Sequence, residues 1–139
     1  ALRATGWTMA REHPLVGFGP EQVQPNVPTY MPQRYQPIPK EWWYGHLHNI
    51  YLQYAAERGW PAVIALLAFA VWSFVDFARA WRRSPIDTRA SLATAMAGTI
   101  AVLIAGFFEH NLGDSEVLGL WLALLGLGYS ALKPDRPAM

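Results

Sequence analysis

Three stretches of the chain carry no charged residue and almost no polar face: 60–75, 90–108 and 117–132, of 16, 19 and 16 residues. Asp76 interrupts the first, and Phe77 and Ala78 extend it to Arg79. A bilayer core about 30 Å thick needs about 20 helical residues, within a range of roughly 17–25. The middle run meets that length outright. The outer two meet it once interfacial residues are added. Helices of a soluble bundle keep a polar stripe towards water, and these runs keep almost none. The pattern predicts an all-α membrane protein: a polytopic helical bundle with three transmembrane helices at about 60–79, 90–108 and 116–132.

Residues 1–59 follow another pattern. They hold seven of the eleven prolines. A helix is expected over 1–12, ended by Pro14. The segment 13–20, HPLVGFGP, is turn-rich. Residues 21–40 have five prolines and no sustained period, which predicts an irregular loop. Asn49 is a suitable N-cap for a short helix over 50–58. Gly59 can end that helix, and Pro61 falls in the first turn of the next, where its missing N–H costs nothing. The chain thus divides into a large irregular loop region with short helices, 1–59, and a membrane region, 60–139.

Charge adds an orientation. Arg79, Arg82, Arg83 and Arg89 surround the connection 80–89, and Lys133 and Arg136 lie in the tail. The connection 109–116 carries Glu109, Asp114 and Glu116 without Lys or Arg. An excess of Lys and Arg marks the cytoplasmic side. Residues 1–59 and 109–116 are then expected to share the outer face, the periplasm of a Gram-negative cell. Trp42, Trp43, Tyr44 and Trp60 fit an outer aromatic belt, and Trp81 and Tyr129 an inner one. Of the 139 residues 53% are apolar and 15% charged, the net charge is +1, and there is no Cys. Disorder and a disulfide scaffold are excluded. Without a basic stripe, no nucleic-acid partner is expected. Several spans without a signal pattern at the start read as the C-terminal piece of something longer.

The densest polar cluster is 45–49, Gly-His-Leu-His-Asn, just outside the first span. A His is a natural acceptor for a hydroxyl proton, and a helix N-terminus favours an anion such as phosphate. The same His pair would also suit the headgroup level. With His110 and Glu109 it could assemble a metal site, but no HExxH or Cys pair supports one, so no metal is expected. Arg3 and Trp7 are spaced i, i+4, and the Arg fork suits a pyrophosphate. It could equally be solvated on a surface helix. Arg11, Arg34, Lys40 and Arg58 are further cations on this face. The GFG at 17–19 lacks the strand, full pattern and Lys of a nucleotide loop. Glu109 could orient a His or pair with an Arg, or simply end a helix. Asp76 and Arg79 are spaced for an i, i+3 pair.

Read in order, these motifs resemble a known family. Arg3-x-x-x-Trp7, then Glu12-His13-Pro14-Leu15-Val16-Gly17-Phe18-Gly19-Pro20, then His46-Leu47-His48-Asn49-Ile50-Tyr51-Leu52-Gln53, then Glu57-Arg58-Gly59 are similar to the O-antigen ligase and polymerase superfamily over 1–62. His48, Asn49 and Gly59 meet the ligase spacing, and Ala62 stands where that pattern usually has Gly, Thr or Tyr.

The resemblance implies an inner-membrane glycosyltransferase that moves a glycan from an undecaprenyl diphosphate carrier to an acceptor. The acceptor would be lipid A-core, a growing chain or a protein side chain. It implies a metal-independent, inverting reaction with no cofactor. By motif, Arg3 would bind the diphosphate, and His48 would be the base or orienting group for the acceptor hydroxyl, supported by His46 and Asn49. Arg11, Arg58 and Glu109 complete the substrate-binding candidates. The other class of function is a non-catalytic membrane protein, such as a transporter subunit or scaffold. Transporters place polar groups at mid-bilayer, and the runs 90–108 and 117–132 have no charge.

Overall fold

The computed structural model of the chain describes residues 1–38 and 45–132. Among these are six α-helices and no strand. Lys40, Trp42, Trp43, Tyr44, Lys133 and Arg136, assigned above to a cation set, an aromatic belt and a basic tail, lie outside the described residues.

Helix α1 spans Leu2–Glu12 and stops just before Pro14. Its Thr5, Gly6, Met9 and Ala10 are buried. Gly6 is needed there, since a Cβ would strike the Leu47 side chain. Helix α2, Val23–Tyr30, lies where the prolines predict an irregular loop. Pro25 falls in its first turn, where the N–H would be unpaired anyway. Pro28 does remove an internal bond, and packing offsets it. Val23, Val27 and Met31 are buried at i, i+4, i+8 against Met9, Leu47 and Ala56. The Gln36 amide further holds the Pro28 carbonyl.

Helix α3, Ile50–Arg58, starts at Asn49, whose Oδ1 accepts the Leu52 N–H at 2.9 Å. It ends at Gly59, whose φ of 79° suits glycine. The 13–20 turn closes on that end. Phe18 and Gly19 N–H donate to the Ala56 and Glu57 carbonyls at 2.8 and 2.9 Å. Gly17 has φ 65°, and a Cβ there would strike the Glu57 backbone. The turn is therefore a cap for the last carbonyls of α3.

Helices α4, Trp60–Trp81, and α5, Ile86–Ala105, are long and apolar enough to cross a membrane. Only 22% and 17% of their most apolar windows are buried. A core helix of a water-soluble protein would be mostly covered. Helix α6, Ser115–Ser130, is apolar but has 16 residues, about 24 Å of helix. Phe77, Leu92, Ala95, Trp121 and Leu125 pack the three together. Gly128 admits Phe77 and Ala95 close to its backbone, the small-residue packing common between membrane helices.

Two boundaries differ from the sequence pattern. The α4–α5 connection is 82–85 rather than 80–89, because α5 begins after Pro85 with Asp87 in its first turn. At the other end α5 stops at Ala105, and Gly106, Phe107 and Phe108 leave the helix. Their apolar character reads as span, but their backbone is recruited elsewhere: the Gly106 carbonyl accepts the Ile50 N–H at 2.8 Å. The connection after α5 thus caps the start of α3. Asp76 also differs. It accepts from the Tyr129 hydroxyl at 3.4 Å, and no Asp76–Arg79 ion pair is found among the described residues.

Candidate active site

The site lies where α1, the 45–49 segment and the connection after α5 meet. One backbone oxygen organises it. The Phe107 carbonyl accepts from Arg3 Nη2 at 2.7 Å and from Asn49 Nδ2 at 3.0 Å. Asn49 therefore does two things: its oxygen caps α3 and its amide nitrogen grips the α5 connection. Arg3 also lies over the Phe108 ring, 5.9 Å from the centroid. It makes no ion pair among the described residues.

Arg3 and His48 line one cleft of about 410 Å³, with Leu2, Met31, Leu47 and Phe108. Its walls are mostly apolar, and the Arg3 cation sits at its edge. Two sequence candidates 45 positions apart are thus brought to a common surface.

His48 is held from three directions. Its φ is 49°, a left-handed conformation uncommon for a residue with a Cβ. Leu47 before it is buried, with its N–H donated to Gln53 Oε1 at 2.9 Å. Asn49 after it is locked as the cap. The ring Nδ1 lies 2.9 Å from Glu109 Oε2. His46 Nδ1 lies 3.4 Å from the other oxygen of the same carboxylate, and the two imidazoles are 4.3 Å apart. Glu109 Oε1 also accepts the His110 N–H at 2.9 Å. The bond from His48, then the one from the His110 backbone, holds the Glu109 carboxyl below its ordinary pKa. It stays ionised and anchors the His48 ring, while the His46 Nδ1 accepts the His48 backbone N–H at 3.4 Å.

Two motif residues to which the sequence assigns no role prove structural. Gln53 and Glu57 are buried, with the Gln53 amide donating to Glu57 Oε1 at 2.7 Å. Glu57 also accepts the Glu21 N–H at 3.0 Å and pairs with Arg58 at 2.9 Å. They fasten the His segment and the 13–20 turn to α3. Their i, i+4 spacing on a helix with buried apolar neighbours was the available signal. The helix N-terminus is the opposite case. Its Ile50 and Leu52 N–H groups are already bonded, to Gly106 and Asn49, so it offers a phosphate less than the pattern suggests.

Not every candidate reaches the cleft. Arg11 lines a separate depression with Trp7, Thr8 and Glu12. Arg34 stacks on Tyr35 at 4.9 Å. Arg58 lies over Tyr54 at 5.0 Å and lines a second cavity with His46 and His110. Burial lowers the pKa of His110, with the nearby His46 adding to it, and its Nδ1 has no partner among the described residues. One atom each from His46, His48 and Glu109 lies within 4.8 Å of the others. That set would suit a zinc-like ion better than Mg²⁺, which prefers all-oxygen ligands.

The O-antigen ligase family profile matches residues 1–67. Over these residues the chain is similar to the O-antigen ligase superfamily. The match includes Arg3, Arg11, His46, His48, Asn49 and Arg58 and ends inside α4. Phe107, Phe108 and Glu109, which complete the cleft and anchor His48, lie beyond it. No curated protein and no solved structure matches the chain. The family supports a membrane-associated, O-antigen ligase-type function, with a lipid-linked glycan and an acceptor as the general class of partners.

Proposed function

We propose that this chain carries the active site of an inner-membrane glycosyltransferase. It would move a glycan from an undecaprenyl diphosphate carrier to an acceptor hydroxyl on the periplasmic face. The observation that carries this reading is the shared cleft of Arg3 and His48. An apolar-walled cleft with one guanidinium suits the phosphate end of a lipid carrier. The nearby His suits the acceptor hydroxyl that attacks the sugar carbon bonded to that phosphate.

The geometry supports the following roles. With its Nδ1–H donated to Glu109, His48 carries the lone pair on Nε2. The acceptor oxygen attacks the anomeric carbon as the bond to the diphosphate oxygen breaks. The hydroxyl proton passes to His48 Nε2, and Arg3 stabilises charge on the departing phosphate oxygens. Inversion at the anomeric carbon follows from a single displacement. A lipid diphosphate already leaves as an anion, so a fixed cation and a base supply what the step needs without a metal. Asn49 positions both ends through the Phe107 carbonyl. Arg58 binds substrate beyond His46, and Arg11 would act only along an extended glycan.

In this reading 1–59 form the periplasmic region and 60–139 the membrane region. Helices α4, α5 and α6 are three spans, with 106–114 outside and 82–85 inside. The third is short, and Asp114 and Leu132 at its ends reach the interfaces. Labelling of single-Cys variants from outside the cell should reach Ser115→Cys and not Ser84→Cys. The decisive test of function is His48→Ala in the intact protein. Transfer should fall by about 10²–10⁴, the range for loss of a general base, while membrane insertion stays unchanged. Parental levels of transferred glycan on a gel would reject the assignment.

A further inference from the structure

The His46–His48 pair stands between two cavities of contrasting chemistry. The cleft on the His48 side is apolar with one cation. The cavity on the His46 side, about 460 Å³, is lined by Glu21, Gln24, Glu57, Arg58 and His110. We infer that this second cavity is a subsite for a neutral, hydroxyl-rich sugar unit of the acceptor. The inference rests on the glycosyl-transfer reading above, because the acceptor must reach the His pair from a side the donor does not occupy.

Three observations support it. The volume lies within the roughly 300–1,000 Å³ of small-ligand sites. The charges do not select an anion: a phosphate here would meet the Glu21 and Glu57 carboxylates, and Arg58 is already paired with Glu57 at 2.9 Å. A diphosphate is served by Arg3, which has no such partner among the described residues. What remains on the wall is a mixed set of planar donors and acceptors. The Arg58 fork has five N–H donors, only one of which is in the Glu57 bond. The Gln24 amide and the His46 ring add both kinds of group. Sugar hydroxyls, each donor and acceptor at once, match such a set better than an apolar or ionic ligand does. His46 belongs to this wall, and its ring centroid is 4.3 Å from that of His48. A sugar held here is therefore one imidazole away from the donor cleft.

Gly45 provides a way to close the cavity. It lines the wall, and a Cβ built on it meets nothing within 4 Å. Gly45→Phe should occupy this space. Because Gln53 and Glu57 also line it, thermal unfolding equal to that of the parent is the check that their network is kept. In the intact enzyme it should raise the acceptor KM by about tenfold or more, equivalent to losing ~1.4 kcal/mol of binding, and leave the donor KM unchanged. Gln24→Ala, an exposed change, should raise the acceptor KM by a smaller factor with the fold intact. An independent arm uses D-glucose, D-galactose and N-acetylglucosamine as probes in saturation-transfer NMR of the detergent-solubilised protein. At least one should give a signal that Gly45→Phe abolishes, that Arg3→Lys retains and that inorganic pyrophosphate does not displace. No signal with any of the three, displacement by pyrophosphate, or an unchanged acceptor KM in Gly45→Phe would overturn the subsite. If the unmodified enzyme transfers no glycan, the glycosyl-transfer reading fails, and the NMR arm still decides the cavity.

Discussion

In the region before α4, a buried polar network joins an apolar core in holding the structure, whereas in α4–α6 packed apolar side chains predominate. Gln53 and Glu57 are 2% and 5% exposed, and they tie together the His segment, the 13–20 turn and Arg58. The α4–α6 core is Phe77, Leu92, Ala95, Trp121 and Leu125, with Thr99 giving its hydroxyl to the Ala95 carbonyl and accepting from Trp121. The outer surfaces differ in how many large apolar side chains they expose: Trp7, Leu15 and Val16 before α4 among the described residues, but a succession of them along α4–α6. Trp72 of α4 is 72% exposed and Leu120 of α6 63%. A row of such side chains is a liability in water and ordinary in hydrocarbon. The surfaces of α4 and α5 suit a bilayer. Where the two regions join, at 106–110, the backbone of one supplies the acceptors that the other needs. The candidate site lies on that seam.

The largest expected effect is at the seam. Arg3→Lys keeps the charge but loses the planar fork that grips paired phosphate oxygens. Transfer should fall by an amount equivalent to about 2–4 kcal/mol, as for loss of an oxyanion donor. Activity equal to the parent would remove Arg3 from the site. The same assay with EDTA bears on the His46, His48 and Glu109 set. Retained transfer is expected, and loss restored by Zn²⁺ would overturn the metal-free step.

The next prediction is specific to the membrane side. Val71, near the middle of α4, is 57% exposed. Val71→Arg should cost about 2.5–3.5 kcal/mol of insertion free energy, read as the inserted fraction in a translocation assay. If insertion is unaffected, α4 does not lie in a bilayer. The matching change before α4 is Gln53→Leu, of similar volume. It orphans the Leu47 N–H and removes one bond to Glu57, about 1–3 kcal/mol for each group left unsatisfied. Thermal unfolding should drop, and the His48 ring should lose its fixed position. Unchanged stability would show that the network does not hold the segment.

Much of this division is legible in the sequence. The absence of charge from 60–75 and 90–108 fixes α4 and α5, since length and composition decide whether a helix can cross a bilayer. Asn49, Gly59 and Pro61 mark α3 and the start of α4 by local backbone chemistry. The motif residues Arg3 and His48 are recognisable by type and order. What the sequence hides is set by contacts distant along the chain. Phe107 and Phe108 look like span, and only the approach of Ile50, Arg3 and Asn49 draws them out of the helix. Helix α2 is masked by Pro25 and Pro28, although Val23, Val27 and Met31 carry its buried stripe. That Glu109 could orient a His is readable from residue type, but which one is set by an approach across about 60 residues: His48 Nδ1 at 2.9 Å, with His46 Nδ1 at 3.4 Å.

The smallest expected effect is that acid loosens the seam before the helices. His110 has its pKa lowered from an ordinary 6.5, chiefly by burial. Between 6.5 and that lowered value the unfolded chain binds a proton that the folded one does not. Stability therefore falls as pH drops through this window and is fully present above it. Glu109 has its pKa lowered from 4.5, first by the His48 bond. Its contribution is present above 4.5 and is lost as pH falls through the folded value. With its side chain 48% exposed, that second step is weakened by solvent. Both groups lie between Phe108 and α6, so acid should release 1–59 while α4–α6 remain helical. Fluorescence of the Trp7–Trp60 pair, whose rings are 5.7 Å apart, reports the first event, and far-ultraviolet circular dichroism reports the helices. His110→Gln should remove the upper step and Glu109→Gln the lower. Coincident transitions by both probes, unmoved by either variant, would show that the two regions unfold as one.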